Sequence, residues 1–498
     1  MEQDVDVLIV GGGINGAGIA REATGRGLRV ALCERGDFGG ETSSASSKLI
    51  HGGLRYLEKN QFRLVQESLR EREILLRTAG HLVRPLRFVL PHQPALRPAW
   101  MIRAGLWLYD CLGGRRTLPG SRRENLRRPP FDKALQVRYR TGFSYSDCSV
   151  DDSRLVIAIL RAAWQSGARI LPRTACVGLS PEKGGWRARL RTQAGTLTEL
   201  RARAIVNATG PWVRQFLNEV ALLPGGANVK LVKGSHIVVP RKSVGDHAYL
   251  LQHSDQRIVF LIPYEGRFTL IGTTESAVAL PASGMGVSEQ ECDYLLEAAN
   301  RYLAHPVQRQ DIVWRYAGLR ALHDDGGDNL SAISRDYFLQ RQTAADGAVI
   351  LSVFGGKITT HRKLAEQVLQ KLGLACTTQN RFRTDTVPLP GCSGQGFDAL
   401  QCLAHMTQRY PGLPAPLIEG VVRRHGLYAT EVLGEAGSMT SLGKNFGAGL
   451  SAREIDYFLE QEWARTVEDV VWRRSKTGLF LSEAEQAAVA EYIRQKIG

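Results

Sequence analysis

Residues 5–34 read VDVLIVGGGINGAGIAREATGRGLRVALCE, and their pattern indicates the fold class. The apolar run 5–10 predicts a buried parallel strand, and a helix is predicted after the glycines. Residues 28–33 predict a second strand that ends at Glu34. Strand, glycine-rich turn, helix and second strand in this order form the βαβ unit that binds dinucleotides. The stretch therefore predicts an α/β protein with a Rossmann-type nucleotide-binding domain.

Three glycines of the turn have separate physical functions. Gly11 permits the tight turn, Gly13 lets the backbone approach a diphosphate, and Gly16 allows close contact between helix and strand. Ile14 and Asn15 complete the turn at the helix N-terminus, where free N–H groups and the positive end of the helix dipole attract phosphates. The alternative is an α/β turn that binds nothing, which the complete βαβ context disfavours.

The choice between FAD and a nicotinamide cofactor depends on two further segments. Glu34 follows Gly16 by eighteen residues and is placed to accept hydrogen bonds from a ribose. Residues 204–210, AIVNATG, resemble the second nucleotide-contacting segment of flavoproteins with the glutathione-reductase type of FAD domain. A second GxGxxG with its own strand, helix and acid is not found in the sequence. FAD is therefore predicted, and its electrons must leave by a route other than a nicotinamide.

The stretch 42–58, TSSASSKLIHGGLRYLE, is dense in small hydroxyl residues and glycines. Such density indicates backbone packed closely against a ligand. His51, Arg55 and Tyr56 then supply a titratable base, an anion-binding fork and a phenolic donor. The alternative is a solvated loop with an incidental His and Arg, which is the default interpretation for either residue taken alone.

With this stretch the chain closely resembles the FAD-dependent glycerol-3-phosphate dehydrogenases of the aerobic, respiratory bacterial type. The resemblance covers nearly the whole chain, since it extends to the segments GSHIV (234–238), IGTTE (271–275), WRYAGLR (314–320), SRDY (334–337), VFGGKITT (353–360) and WRRSKTG (472–478). Two positions depart from the family pattern. Glu275 stands where Asp is usual after the Thr-Thr pair, and Ala321 stands where Pro is usual after the arginine.

The resemblance implies oxidation of sn-glycerol 3-phosphate to dihydroxyacetone phosphate by hydride transfer to FAD, with the electrons passed to a membrane quinone. Arginine suits a phosphate because its planar fork makes paired charge-assisted hydrogen bonds. His51 and Arg320 are the catalytic candidates, and His51 ranks first as the base because an arginine is a poor base. The implied substrate contacts are Arg55, Tyr56, Thr274, Arg320 and Lys357.

The family pattern also implies a set of FAD contacts beyond the first turn. The turn 355–357 is expected to meet the isoalloxazine edge, and Thr359 and Thr360 are expected to begin a helix whose N-terminus stabilises anionic reduced flavin. No metal site is expected, because the eight cysteines lack metal-like spacing and are typical of reduced thiols. The expected FAD contacts are Gly11, Gly13, Ile14, Asn15, Gly16, Glu34, Thr42, Ser43, Ser46, Ser47, Leu49, His51, Gly52, Val177, Ala208, Gly210, Gly356, Lys357 and Thr359.

A basic, aromatic segment suggests where the protein meets a membrane. The net charge is +15, and residues 84–128 contain ten arginines but only two acids. Trp100, Met101, Trp107 and other apolar residues interleave with these arginines, as is typical of an anionic bilayer interface. The alternative is a solvated basic loop over ordinary core residues. No signal peptide and no apolar run of spanning length is recognised, so we expect a cytoplasmic protein bound peripherally to the inner face of the cell membrane.

The chain is predicted to have two main regions. Residues 1–385 form the FAD-dependent oxidoreductase region, of glutathione-reductase or D-amino-acid-oxidase-like type. Its FAD-binding segments are about 1–80, 140–225 and 326–385, and its mixed-sheet substrate or membrane-facing segments are about 81–139 and 226–325. Pro388 and Pro390 then precede a helical C-terminal domain, 386–498, in which apolar residues repeat at helical spacing over 459–471. Residues 472–474 are expected to lie in core and solvated face rather than against a partner.

Three alternatives to the dehydrogenase stay open on the sequence. The nearest is a glycerol-3-phosphate oxidase that reduces oxygen to hydrogen peroxide at the same site. Another is a flavin-bearing protein whose basic face holds RNA, although no recognised nucleic-acid module accompanies the charge and no nucleic acid is expected. The third is an amine-oxidising relative on the same fold. The expected partners are glycerol 3-phosphate, a membrane quinone and an anionic membrane surface, with a second copy of the chain as a candidate homodimer partner.

Overall fold

The computed structural model describes residues 4–93, 97–114, 117–241, 245–253, 257–323, 336–374, 382–394 and 396–497. Arg115, Arg116, Ser334 and Arg335, which belong to segments discussed above, lie outside these ranges. The cysteines of the described ranges are all free thiols. The helices, numbered in chain order, are α1 Ile14–Gly25, α2 Phe62–Thr78, α3 Ala99–Leu112, α4 Asp152–Gln165, α5 Val213–Glu219, α6 Glu289–Asn300, α7 His361–Leu372, α8 Ala399–Arg409, α9 Ala415–His425, α10 Ala429–Leu433, α11 Ala452–Gln461 and α12 Glu483–Ile497.

The first sheet has the order β17-β18-β10-β1-β2-β7, with the antiparallel strands β9 and β8 added beside β10. Strands β18, β10, β1, β2 and β7 run parallel. With strands numbered in chain order, its members are β1 Val5–Val10, β2 Val30–Cys33, β7 Arg169–Leu171, β8 Thr174–Glu182, β9 Gly185–Thr192, β10 Leu197–Asn207, β17 Phe338–Thr343 and β18 Val349–Phe354.

The predicted βαβ unit is confirmed as the centre of this sheet. Strand β1 is buried along its whole length because parallel strands are covered on both faces. Its residues pair with β2 on one side and β10 on the other. Helices α1, α4 and α7 share one core with the sheet, and α5 packs with β8, β9 and β10 in another. The parallel strands therefore end together at one edge, which is where ligands bind in such sheets.

The second sheet is mixed and larger. Its order is β15-β11-β14-β13-β12-β4-β6-β3, with β16 paired to β11 and β5 paired to β6. Its members are β3 Leu49–Ile50, β4 Val83–Pro91, β5 Arg122–Asn125, β6 Thr141–Val150, β11 Val229–Pro240, β12 Ala248–Gln252, β13 Ile258–Tyr264, β14 Phe268–Gly272, β15 Ser276–Val278 and β16 Trp314–His323.

This sheet draws on more of the chain than the predicted substrate segments. Strand β6 pairs with β4 over residues 142–150 and with the short β3, although both β6 and β3 were expected within FAD-binding segments. Helix α6 packs in the core on one face of the sheet, and α3 packs with the residues of the other core. Sequence pattern could not assign β6, because strand partners are set by contacts between residues far apart in the chain.

The C-terminal region is helical and has its own apolar core, formed by residues of α8 to α12 and the turns between them. The apolar spacing over 459–471 does not form one continuous helix. Helix α11 ends at Gln461, Trp463 adopts a positive φ of 58°, and a π-helical turn follows over Asp469–Arg474. The Asp469 carboxylate accepts the backbone N–H groups of Arg465 and Thr466. These hydrogen bonds stabilise the start of the π-helical turn as an element separate from α11.

In the described ranges, none of the helices combines the length and the apolar character needed to cross a membrane.

Candidate active site

A cavity of about 700 Å³ lies at the carboxyl edge of the first sheet and reaches the second sheet. One end is lined by the ends of β1, β2 and β10 and by the start of β8. The other end is lined by the turn after β18 and by residues of β12, β13 and β16. The cavity therefore connects the predicted nucleotide turn with the predicted substrate residues.

The nucleotide end fits the diphosphate of FAD. A Cβ on Gly11 would lie 2.5 Å from the carbonyl oxygen of Ala208, so the turn depends on glycine. Gly13 precedes α1 without a side-chain capping bond of its own, and Ser43 Oγ accepts the N–H of Ile14, so an anion would meet the remaining N–H groups of the first turn. Within the described residues, the buried Asn15 Oδ1 has no hydrogen-bond partner, so it offers an acceptor to a bound ligand.

Glu34 is held in place by the turn that it follows. Its carboxylate accepts the backbone N–H of Gly12 at 2.7 Å and that of Gly36 at 2.8 Å. Burial raises the pKa of Glu34, and these two hydrogen bonds act in the opposite direction. The carboxylate lines the cavity at the end of β2, where the ribose of a dinucleotide lies in this fold.

The hydroxyl-rich loop forms one wall of the cavity and is fixed by its own side chains. Ser43 Oγ accepts the N–H of Ile14 at 3.0 Å, and Thr42 Oγ1 donates to the carbonyl of Leu319 at 2.5 Å. Ser46 donates to Asp152, and Ser47 shares a 2.9 Å hydrogen bond with His236. The loop is thus tied to α1, α4 and the second sheet. The predicted contacts in this loop that line the cavity are Thr42, Ser43, Ser46, Ser47, Leu49 and His51.

The far end of the cavity is cationic. Arg55, Arg320 and Lys357 line it together with Tyr56. Lys357 Nζ lies 3.9 Å from the centre of the Tyr56 ring, a cation–π geometry. Arg320 Nη1 lies 3.5 Å from Glu275 Oε1. An anionic group entering this end meets three positive charges and one carboxylate.

His51 lies among these cations. A chain of hydrogen bonds fixes the backbone of the residue that follows it. Its neighbour Gly52 donates its N–H to Tyr109 Oη of α3 at 2.9 Å, and Tyr109 donates to Asp147 at 2.7 Å. Burial, followed by the charges of Lys357 and Arg320, lowers the pKa of His51 to about 4. The imidazole is therefore neutral at pH 7 and has a lone pair available for a proton.

The depressed pKa of His51 gives a direct test. We expect the His51 ring to stay neutral from pH 8 down to about pH 5 and to gain its proton only near pH 4. The measurement is an NMR titration of the histidine ring signals in the FAD-loaded enzyme, with His51→Gln assigning the resonance. An inflection near pH 6.5 from this ring would contradict the placement of His51 between the two cations.

Four predicted contacts do not line the cavity, although all four belong to the described part of the chain. A Cβ on Gly16 would lie 1.9 Å from the carbonyl oxygen of Gly11, so this glycine serves helix–strand packing. Gly52 is buried behind His51, and Val177 sits at a bulge of β8 whose neighbours 174–176 line the cavity instead. Thr274 is buried and bonds to Glu291 at 3.2 Å and to the N–H of Ser235 at 3.0 Å. The cavity there is lined by Thr273 and Glu275.

Several lining residues were not among the predicted contacts. Thr273 and Glu275 belong to the Thr-Thr motif, but they follow the end of β14 at Gly272, and the motif alone does not show which threonine faces the cavity. For the apolar wall no local signal exists, because its residues come from strands whose register is set by distant partners. The unpredicted lining residues include Arg35, Asp37, Lys59, Thr209, Trp212, Thr273, Glu275, Leu250, Ile258 and Phe260.

The chain matches two family models. One, FAD dependent oxidoreductase, matches residues 6–362, and the other, the C-terminal domain of alpha-glycerophosphate oxidase, matches residues 382–497. These two matches together account for the oxidoreductase region and the helical C-terminal region.

Relatives match over nearly their whole length. A glycerol-3-phosphate dehydrogenase of Pseudomonas aeruginosa is 47% identical over 99% of this chain and 95% of its own. A D-erythritol 1-phosphate dehydrogenase of Brucella abortus is 45% identical over 98% of this chain and 97% of its own. The structure of a glycerol-3-phosphate dehydrogenase from Bacillus halodurans complexed with FAD shares the fold, with a TM-score of 0.74 at 24% identity over 99% of this chain and 95% of that one. The chain is an FAD-dependent oxidoreductase, and it belongs to the family of the bacterial FAD-dependent glycerol-3-phosphate dehydrogenases.

Proposed function

We propose that this enzyme oxidises sn-glycerol 3-phosphate to dihydroxyacetone phosphate and passes the electrons to a membrane quinone. The observation that carries the proposal is the placement of neutral His51 beside Arg55, Arg320 and Lys357 at one end of the FAD cavity. Three cations suit a phosphate dianion, and a neutral imidazole suits a hydroxyl that must lose its proton. The name of the Pseudomonas aeruginosa relative supports the same substrate.

The side chains of this end bind and orient the substrate for oxidation. Bound FAD supplies the acceptor for the hydride from C2 of the substrate. Arg55, Arg320 and Lys357 hold the phosphate through charge-assisted hydrogen bonds, and a ring nitrogen of His51 accepts the proton of the C2 hydroxyl. Exclusion of water strengthens these interactions. It is supported by the apolar lining residues Leu250, Ile258 and Phe260.

A second candidate substrate is D-erythritol 1-phosphate, the substrate named for the Brucella abortus relative. The observation in its favour is Glu275, whose carboxylate lines the cavity next to Arg320. A carboxylate repels phosphate but accepts hydrogen bonds from hydroxyl groups, and a four-carbon polyol phosphate has one hydroxyl more than glycerol 3-phosphate. Glu275 would then contact the polyol end of either substrate.

Anaerobic bleaching of the flavin absorbance tests the substrate. The purified enzyme is mixed with sn-glycerol 3-phosphate, D-erythritol 1-phosphate, glycerol or sarcosine, and the rate of bleaching is recorded. Rapid bleaching by glycerol 3-phosphate, with glycerol and sarcosine inactive, supports the main proposal. Faster bleaching by D-erythritol 1-phosphate would instead favour this compound as the substrate. Bleaching by sarcosine alone, or by none of the four, would reject both.

The proposed electron acceptor requires contact with a bilayer, and α3 offers a surface for it. Its inner face, with Ile102, Leu106 and Tyr109, is buried. Its outer face exposes Trp100, Met101 and Trp107, at 70%, 45% and 65% of their surface. The arginines at 103, 122, 123, 127 and 128 are also exposed. Apolar rings beside arginines suit an interfacial helix on an anionic membrane at the cytoplasmic face.

Removing the two indoles of α3 should weaken membrane binding. We expect the double variant Trp100→Ser, Trp107→Ser to lose about tenfold or more in partition to phosphatidylglycerol vesicles, since withdrawing a large apolar side chain from water is worth about 1.5–3 kcal/mol. Sedimentation with vesicles measures this partition. The control, Leu197→Ser with Leu400→Ser, changes two apolar side chains that are also largely exposed, at 62% and 81% of their surface, but lie outside α3. Equal losses in the two double variants would argue against α3 as the membrane surface.

The oxidase alternative differs only in the acceptor. Turnover of glycerol 3-phosphate with vesicle-bound quinone and little hydrogen peroxide supports the dehydrogenase. Stoichiometric peroxide in air, with no quinone reduction, would favour the oxidase.

A further inference from the structure

The motif WRRSKTG brings two arginines of the C-terminal region, the buried Arg474 and the partly exposed Arg473, onto one carboxylate of the FAD-binding region. Arg474 Nη1 and Nη2 donate to Asp37 Oδ2 and Oδ1 at 2.6 and 2.8 Å, a bidentate pair. Arg473 Nε also donates to Asp37 Oδ2. The Arg474 side chain is fully buried, and it also donates to the carbonyl oxygen of Glu462 at 2.6 Å. This contact joins the two regions that separate family models match.

Asp37 belongs to the short segment 36–40, which follows Glu34 and lines the nucleotide end of the cavity. Gly39 donates its N–H to the carbonyl oxygen of Gly12 at 3.0 Å. The Phe38 ring packs so closely on the glycine turn that a Cβ on Gly12 would lie 2.4 Å from it. On its other side, Phe38 meets Trp463 edge to face, with the ring centres 5.4 Å apart. Segment 36–40 is therefore held between the glycine turn and the C-terminal region.

We propose that Arg474 is a positioning residue for FAD, and that the C-terminal domain holds the adenosine end of the cofactor site closed by fixing segment 36–40 through Asp37. Arg474 itself does not line the cavity, so its effect on FAD passes through Asp37. Removing Arg474 takes away two of the three arginine hydrogen bonds to Asp37 and leaves the one from Arg473, which loosens the hold on the segment that carries Asp37. Glu34 and the glycine turn, which bond to that segment, would then bind the cofactor less tightly.

FAD affinity measures this role independently of any substrate. Apoprotein of the full chain is titrated with FAD, and flavin fluorescence gives the dissociation constant. Arg474→Met is expected to raise the constant at least tenfold. At saturating FAD, the visible spectrum of the bound flavin is expected to match that of the wild type, because Asp37 follows β2 whereas Lys357 follows β18, and β1 and β10 lie between these strands in the sheet. If Arg474→Met changed both the FAD affinity and the visible spectrum of the bound flavin, the result would contradict an effect confined to the adenosine end of the site.

A matched control separates positioning from loss of domain stability. Arg424→Met removes another buried arginine of the C-terminal region, which pairs with Glu454 and does not contact segment 36–40. Its FAD dissociation constant is expected to stay within twofold of wild type. The proposal also requires that the double variant Asp37→Asn, Arg474→Met have an FAD dissociation constant no higher than that of the weaker-binding single variant. Additive losses, an unchanged constant in Arg474→Met, or an equal loss in Arg424→Met would overturn it. Should Arg474→Met fail to fold, Arg473→Gln, at the partly exposed second arginine on Asp37, decides the same question with a smaller expected rise.

Discussion

Replacing Arg320 with alanine should lower kcat/KM for sn-glycerol 3-phosphate by roughly 100- to 1,000-fold, since removing one partner of an enclosed charge pair costs about 3–4 kcal/mol. Arg320 lies on β16 opposite Val232 of β11, and its guanidinium lies 3.5 Å from both Thr273 Oγ1 and Glu275 Oε1. In the proposed complex it holds the phosphate. FAD content should be unchanged. Steady-state turnover with an electron acceptor, measured over a range of substrate concentrations, gives kcat and KM.

The same strand provides the control. Arg315 also lies on β16, but it is exposed and pairs with Glu289 at the surface. Arg315→Ala should leave kcat/KM within about twofold of wild type, because exposed ion pairs contribute little. If Arg320→Ala kept wild-type kinetics, Arg320 would have no place in the substrate site. If both variants lost activity alike, the effect would belong to the strand and not to the cavity.

The second large effect concerns stability. Glu454→Gln should lower the free energy of unfolding of the C-terminal region by roughly 3–5 kcal/mol, the usual cost of breaking a buried ion pair. Glu454 is fully buried and accepts two hydrogen bonds from Arg424, each 2.7 Å long, and one shared with His425 at 2.9 Å. Removing its charge leaves the Arg424 guanidinium buried without a counter-ion. Urea unfolding followed by tryptophan fluorescence measures the loss.

The sign of the pH dependence provides a further check on Glu454. Although burial opposes ionisation, the charge of Arg424 and the bond to His425 hold the pKa of Glu454 at about 2, below its ordinary value of 4.5. A carboxyl with a depressed folded pKa stabilises the protein above pH 4.5 and loses this contribution as the pH falls towards 2. The difference in the free energy of unfolding between wild type and Glu454→Gln should therefore shrink as the pH falls from 4.5 towards 2. Glu435→Gln is the control, since Glu435 is exposed and pairs with Arg409 at the surface. If Glu435→Gln also lowered the free energy of unfolding by several kcal/mol, this would contradict the conclusion that the loss in Glu454→Gln comes from its buried ion pair.

The parts of the site that follow a parallel strand directly were predictable. The glycine turn, Glu34 and the turn 355–357 each come straight after a buried strand, and strand ends in such a sheet converge by geometry. Arg320 and Lys357 were predicted through family motifs, and they lie at the same end of the cavity. Local pattern and spacing were sufficient for the glycine turn and Glu34, whereas Arg320 and Lys357 depended on the resemblance to the family.

The remaining parts depended on contacts between distant residues. Leu250 and Phe260 reach the cavity because β12 and β13 pair in a particular register, and a shift of one residue would turn both outward. The apolar repeat over 459–471 predicted a helix, but the chain turns at Trp463. Residues 472–474 were expected in core and solvated face, but their partner was not predicted: Asp37, more than four hundred residues earlier, binds the buried Arg474. Neither partner has a local sequence signal for this pairing.

The inner and outer faces of α3 make different contacts, and this difference matters for preparing the enzyme. Tyr109 faces inward and holds Gly52 beside His51, whereas Trp100, Met101 and Trp107 face outward and make no contribution to that hydrogen-bonded chain. On the proposed membrane contact, polar substitutions confined to the outer three should yield a detergent-free preparation that keeps the geometry around the imidazole. Crystallisation and solution NMR of the loaded enzyme would become practical with a variant redesigned on that face alone.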